Sequence, residues 1–381
     1  MLSRRYFLGT GGAALAALSM PRIAFARANT SRRFVFIIQR GAADGLSTLG
    51  PTGDPQHSAL RADFDQDLQT GSKVGSFFTL HPSLAETAKM YAANEALFVH
   101  AVASPYRDRS HFDGQNVLET GSATAYRLPD GWLNRMLGLL PPEDSKALAL
   151  SDTVPMALRG RNEASSYAPS RLAGPSDDLL QRVSALYDSD AQLHALWSDA
   201  LATKKTAGDI QSGGQSGAAL GSLGARLLAA ESGPRVMMIE TTGWDTHAGQ
   251  RARLGAQLKS LDALVAALKS GLGTEWSNTV VVVATEFGRT ARPNGTAGTD
   301  HGEGSLAMLL GGAVAGGRVI ADWPGLSAAA LYEGRDLKPT TGLDSLIAGA
   351  VSQHYDLEPA RVMATLFPQT GGTAFAQKLI A

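Results

Sequence analysis

At 381 residues, 44% of them apolar and 18% charged, the chain is long enough to bury a large core and too apolar to be disordered. Its 34 basic and 35 acidic side chains leave a formal net charge of −1, without the basic excess that a nucleic-acid protein carries. It has no cysteine, which excludes disulfides, thiolate metal ligands and cysteine nucleophiles.

The first 26 residues, MLSRRYFLGTGGAALAALSMPRIAFA, read as an export signal: a basic start, an apolar stretch over residues 6–20, and small residues at Ala24 and Ala26 around a cleavage point. The paired Arg4 and Arg5 resemble the twin-arginine type, whose translocase carries folded proteins across a bacterial inner membrane. The expectation is a periplasmic or secreted protein with no stable membrane span after cleavage, because the apolar stretch is short of the roughly 20 residues a span needs.

Residues 34–38 (FVFII) form a continuous apolar, β-rich run of the kind a central parallel strand needs. The run empties into QRGAADG, where Asp44 is a candidate first-strand metal ligand; an Asp-Gly turn or a helix N-cap is its alternative reading. Residues 50–80 read as an irregular insertion able to cover a site, with His57 on the surface. A helical pattern from His81 leads to a second apolar strand, residues 96–102, which ends in SPYRDRSHFDGQNVLETGS. Ser110 opens a helix there, and a helix N-terminus suits an anionic substrate or a serine nucleophile. The plainer reading makes Ser110 an N-cap with Asp113 as its capping-box partner.

Further on, residues 132–140 predict a helix closed by Pro141 and Pro142, and residues 147–150 a short strand. Residues 179–203 keep a helical period, with His194 on the helix face, and the Gly-, Ser- and Gln-rich residues 204–217 predict a surface loop or linker. The expected organisation is one domain over residues 27–381, with insertions near 50–80 and 155–225.

Three strand ends then deliver acids and histidines within about 60 residues of each other. Residues 235–240 (RVMMIE) feed TTGWDTH, where Asp245 and His247, two apart in extended chain, point to one side. A helix over residues 249–272 follows; residues 280–283 (VVVV) then feed Glu286 and Arg289, and a Gly-rich loop brings Asp300 and His301 before a last strand at residues 306–310. Ligands of α/β proteins collect just past the carboxyl ends of parallel strands. Asp44, Asp245, His247, Glu286, Asp300 and His301 are therefore the candidate metal ligands, oxygen and imidazole donors suited to a divalent ion such as zinc, manganese or calcium. A polar network internal to the fold is the competing reading.

The phrases FVFIIQRGAADGLSTLGP, SPYRDRSHFDGQNVLETGS, GWDTH, ATEFGRTARPNG and TDHGEGSLAMLLGGAVAGGRVIADWPGL resemble an exported bacterial family filed as domain of unknown function 1501. That family is distantly similar to the alkaline phosphatase and sulfatase superfamily, and the resemblance spans the mature chain. It implies an α/β fold with an alkaline phosphatase/sulfatase-like core, a mostly parallel sheet sandwiched between helices, and a metal site at the strand ends. It also implies Ser110, or His111 beside it, near the nucleophile position, and Asp44, Asp245, His247 and His301 in ligand positions. Two departures stand out: Asp245 and His247 are closer in sequence than their superfamily counterparts, and Phe287 follows Glu286 where the superfamily places a histidine.

The resulting expectation is an exported metal-dependent hydrolase acting on a phosphate or sulfate ester, with an anionic ester or a polysaccharide as the candidate substrate. An ion held by Asp245, His247 and His301, helped by Asp44 or Glu286, would activate Ser110 or a water, and Arg107, Arg109 or Arg289 would grip the nonbridging oxygens. The alternative is a non-catalytic exported scaffold that binds a glycan or another protein. The translocase is the expected partner during export, and no nucleic acid is expected.

Overall fold

The computed structural model describes residues 32–141, 145–168, 177–187, 190–207 and 216–381. The expected signal over residues 1–26 and most of the expected linker at 204–217 lie outside the described residues. In chain order the strands are β1 (Arg33–Gln39), β2 (Leu49–Gly50), β3 (Ser72–Val74), β4 (Phe78–Leu80), β5 (Ala96–Ala103), β6 (Ala147–Leu150), β7 (Ala164–Ser166), β8 (Val236–Thr241), β9 (Thr279–Ala284), β10 (Ser305–Leu310), β11 (Arg318–Ile320) and β12 (Thr341–Gly342). The helices are α1 (Gly45–Thr48), α2 (His57–Leu68), α3 (Ala85–Ala92), α4 (His111–Thr120), α5 (Trp132–Leu137), α6 (Asp177–Tyr187), α7 (Ala191–Ala207), α8 (Gly217–Ala229), α9 (Gln250–Leu272), α10 (Leu343–Tyr355) and α11 (Pro359–Leu366).

All seven residues of β1 are buried, as a strand with two neighbours and two covered faces requires. It lies inside a sheet of order β11-β5-β10-β9-β1-β8-β6-β7, with β12 also on β5. Only β10 runs antiparallel to its neighbours, β5 and β9; every other pairing is parallel. This is the mostly parallel sheet between helices expected from the sequence.

Side chains alternate across a strand, so β1 feeds two cores. Phe34, Phe36 and Ile38 pack with Trp132 of α5, Leu346 and Val351 of α10 and Leu366 of α11. Val35 and Ile37 pack on the other side with Leu223 of α8 and Leu258, Leu261 and Val265 of α9. Each such leucine, fully buried, contributes about 1.5–3 kcal/mol.

Several local expectations change. Residues 50–80 are ordered into α2 and a three-stranded sheet, β2-β4-β3. His57 is buried rather than on the surface, and its Nδ1 pairs with Asp65 Oδ1 at 3.0 Å. The periodicity of α2 is weak because the helix kinks at Arg61 (φ −130), which sends that guanidinium inward. Residues 179–203 divide between α6 and α7, the helix after Gly131 stops at Leu137, and β11 and β12, too short to show a period, follow β10.

Candidate metal centre

The carboxyl ends of β1, β8 and β9 are in register, with Gln39 beside Thr241 and Ile38 beside Ala284, so the loops that follow share one edge of the sheet. Gly41 lets the first two touch: its φ is +119, and a Cβ there would lie 2.6 Å from the Asp245 backbone nitrogen. The loop after β9 is zipped to the segment before β10. Gly302 N–H donates to the Gly288 carbonyl (2.8 Å), Gly288 N–H to the Glu303 carbonyl (2.8 Å) and Thr290 N–H to the Asp300 carbonyl (2.9 Å), which pairs Arg289 with His301. Thr299 N–H donates to the Thr246 carbonyl (3.2 Å) and ties in the loop after β8. The first residue of α4, His111, completes the arrangement.

His111, Asp245 and His301 offer donor atoms that all lie within 4.8 Å of one another. His247 joins them, its Nε2 lying 3.1 Å from Asp245 Oδ1 and 3.0 Å from His301 Nε2. Behind each imidazole stands an acceptor for Nδ1: Glu286 Oε1 for His111 (2.8 Å), Asp300 Oδ1 for His247 (3.1 Å) and the Arg109 carbonyl for His301 (2.9 Å). Ionised carboxylates and carbonyls only accept, so Nδ1 carries a proton in each ring; the Nε2 atoms converge on Asp245, those of His247 and His301 within hydrogen-bond distance of each other. His111 Nε2 is a buried atom without a hydrogen-bond partner, 3.5 Å from Asp245 Oδ2.

Charge is distributed to suit. Burial opposes ionisation of the fully buried Glu286, but hydrogen bonds from His111, Gln115 Nε2 (3.0 Å) and Gly41 N–H (2.9 Å) hold its pKa below the ordinary glutamate value. The same bond to Glu286 raises the pKa of His111, whereas burial, followed by the His111 charge, lowers that of His301. For Asp245 burial is outweighed by Arg289, whose Nη1 donates at 2.7 Å and keeps the carboxylate ionised. Arg289 is itself buried and also donates to Thr299, at 3.1 Å to Oγ1 and 2.6 Å to the carbonyl.

The profile of the family described as Protein of unknown function (DUF1501) matches residues 31–366. The chain belongs to the DUF1501 family. No curated protein matches its sequence. Among solved structures, this DUF1501 chain is similar to the C-terminal periplasmic domain of EcEptC from Escherichia coli in complex with Zn, at 7% identity over 76% of this chain and 74% of that one, with a TM-score of 0.40. It is similar to the phosphonate monoester hydrolase of Agrobacterium radiobacter at 8% identity over 76% and 70% of the two chains, TM-score 0.34. A TAB5 alkaline phosphatase mutant with Mg bound in its M3 site matches at 11% identity over 77% and 95%, TM-score 0.36. Among the described residues no helix is long and apolar enough to cross a membrane.

Of the sequence-derived candidates in the DUF1501 chain, Asp245, His247, Glu286, Asp300 and His301 come together, but Glu286 and Asp300 stand behind the imidazoles rather than among the inward-facing atoms. Asp44 takes its alternative role, a helix N-cap, and does not join the candidate ligands. Its buried carboxylate pairs with Arg61, accepts from Gln250 and caps α1 through Ser47 N–H at 3.1 Å. His111, expected near a nucleophile, stands with the imidazoles. Arg289 is tied to Asp245 and Thr299 and is not free to grip a substrate. Ser110 is the N-cap residue of α4 but its side chain makes no capping bond, so the expected capping box with Asp113 does not form; its amide donates to Tyr106 Oη at 3.0 Å. Phe287 stacks on His111, with ring centres 5.1 Å apart, and lies 5.2 Å from His301. Sequence reasoning missed Gln115, Gln250 and Arg61, whose roles appear only once distant elements meet. A cavity of about 190 Å³, lined in part by Lys146, Glu163, Asp199 and Ser232, lies at the amino-terminal ends of β6 and β7 and takes no part in the cluster.

Proposed function

We propose that the chain is an exported, metal-dependent hydrolase of phosphate or sulfate esters, built around one divalent ion. The observation that carries this reading is the common orientation of three imidazoles, each giving its Nδ1 proton to a fixed acceptor and turning Nε2 toward Asp245. His247 and His301 pair through Nε2, as an internal polar network would have them, but His111 Nε2 is buried without a hydrogen-bond partner. His111, Asp245 and His301 would hold the ion, with His247 completing the set. Three imidazole nitrogens and one carboxylate oxygen suit zinc better than manganese or calcium, which favour oxygen ligands.

Bound there, such an ion supplies Lewis acidity toward an ester oxygen and toward water. The chain's own residues do the rest. Glu286 orients His111 and balances its charge, Asp300 and the Arg109 carbonyl orient the other two rings, and Arg289 keeps Asp245 ionised and in place. Ser110, at the start of α4 and one residue before His111, is the candidate nucleophile, and the helix N-terminus favours an anionic group beside it. The partly exposed Arg107 and Arg335 are the candidate grips for nonbridging oxygens. Residues 1–26 would act as the twin-arginine-type signal; replacing Arg4 and Arg5 with lysine should retain the precursor in the cytoplasm, read by fractionation.

A non-catalytic scaffold that binds a glycan or protein is the second reading, favoured by Phe287, which sets an apolar ring against His111 and His301 where a further metal ligand would otherwise stand. Elemental analysis of the mature protein, purified without chelator beside an Asp245→Ala/His301→Ala variant, separates the readings. Near-stoichiometric zinc or manganese in the wild type only, with ester turnover lost on chelation, supports the hydrolase. Metal without turnover on a broad ester panel favours the scaffold, and a protein that stays empty after reconstitution removes the metal from both.

A further inference from the structure

We infer that Arg109 is a positioning residue for this centre: its clamped guanidinium fixes its own carbonyl where that carbonyl selects the tautomer of His301. The consequence for metal uptake rests on the reading above, whereas the tautomer does not. Arg109 sits between β5 and α4 with φ +59, in the left-handed region that side-chain-bearing residues avoid. Something must hold it there.

The guanidinium supplies the hold. Its Nε lies 3.1 Å from Glu303 Oε1 and donates to Asp336 Oδ2 at 3.1 Å; its Nη2 lies 2.9 Å from Asp336 Oδ2 and donates to Glu333 Oε2 at 2.7 Å. Glu303 and Asp336 are fully buried, both Glu303 oxygens and Asp336 Oδ1 lack hydrogen-bond partners, and the Arg109 guanidinium is packed against both side chains. Glu303 in turn lies two residues after His301, and Arg335 Nη2 donates to the His301 carbonyl at 2.6 Å. The contacts close a ring: the Arg109 guanidinium lies against Glu303, the chain leads back to His301, and the His301 ring donates Nδ1–H to the Arg109 carbonyl. If that carbonyl turned away, Nδ1 would lose its acceptor. A proton on Nε2 would then point at Asp245 Oδ1, 3.4 Å away, and remove the lone pair a metal needs.

Two readouts test this on the full mature protein: nitrogen-15 spectra of the His301 imidazole without metal, and zinc titration against a competing chelator. Wild type should show the Nδ1–H form. Arg109→Ala should move His301 toward Nε2–H and weaken zinc binding by about 10- to 100-fold. Arg109→Gly, which removes the side-chain penalty of the left-handed backbone, should recover part of both effects relative to alanine. A folded Arg109→Ala protein with the wild-type tautomer and zinc affinity would overturn the proposal, as would loss of thermal stability in both variants with no change of tautomer. Should the alanine protein fail to fold, Arg109→Lys, which keeps a charge among the buried acids but not the fork, carries the same expectation in lesser degree. If wild type takes up no zinc, the metal reading fails while the metal-free spectra still decide the role of Arg109.

Discussion

Asp44 and Asp245 both follow a buried parallel strand, and they end in opposite circumstances. Asp44 is closed off by Arg61 and Gln250, whereas the Asp245 side chain is 43% exposed and shares one oxygen with Arg289. The sequence shows two acids in equivalent local settings; what separates them is an arginine on a kinked helix that local pattern does not place. The pairing of Asp245 with His247, suggested by their spacing, is met in the loop after β8, where His247 Nε2 lies 3.1 Å from Asp245 Oδ1. The acceptors behind the rings were not legible, because Glu286 reaches His111 across 175 residues of sequence. The two acids should therefore respond differently to mutation. Asp44→Ala should leave metal uptake unchanged and cost roughly 3–5 kcal/mol of stability by stranding Arg61, measured by denaturant unfolding. Glu286→Gln should leave the fold intact and weaken zinc binding by about tenfold or more, measured by competitive titration.

Among the elements, the strands buried on both faces were the most readable: β1, β9 and β10 announce themselves as unbroken apolar runs. Such runs carry no sign of direction, so the antiparallel setting of β10 was hidden in them. That setting matters to the site, because the segment entering β10 doubles back along the loop leaving β9 and brings His301 beside Arg289. The approach is close: a Cβ on Gly288 would lie 2.0 Å from the Gly304 carbonyl oxygen. Gly288→Ala should push the two segments apart, costing about 1–3 kcal/mol and most of the metal affinity, measured by thermal melting and zinc titration on one preparation.

For the molecule as a whole, two buried histidines away from the centre contribute to its sensitivity to acid. His100 donates Nε2–H to the Leu49 carbonyl (2.9 Å) and accepts at Nδ1 from Ala101 N–H (2.8 Å), a pattern only the neutral ring satisfies. Burial lowers its pKa to about 4, and burial together with Arg32 lowers that of His354 to about 3. In the unfolded chain both take up protons near pH 6.5, so their stabilisation is complete above that value and is lost as pH falls toward 4 and then 3. His100 alone accounts for on the order of 3 kcal/mol over that window. Between pH 6.5 and 3 the His354→Gln protein, less stable than wild type at pH 7, should lose melting temperature less steeply than wild type; an unchanged slope would count against His354.

The position of β1 carries a consequence for the making of the protein. This strand leaves the ribosome long before its neighbours β8 and β9, which begin at Val236 and Thr279. At roughly 5–20 residues per second, FVFII must wait some tens of seconds with both edges unpaired. Such an edge invites other chains, and pairings this distant in sequence close slowly. The nascent protein therefore has a long interval in which its own fold does not yet keep the central strand apart from its copies.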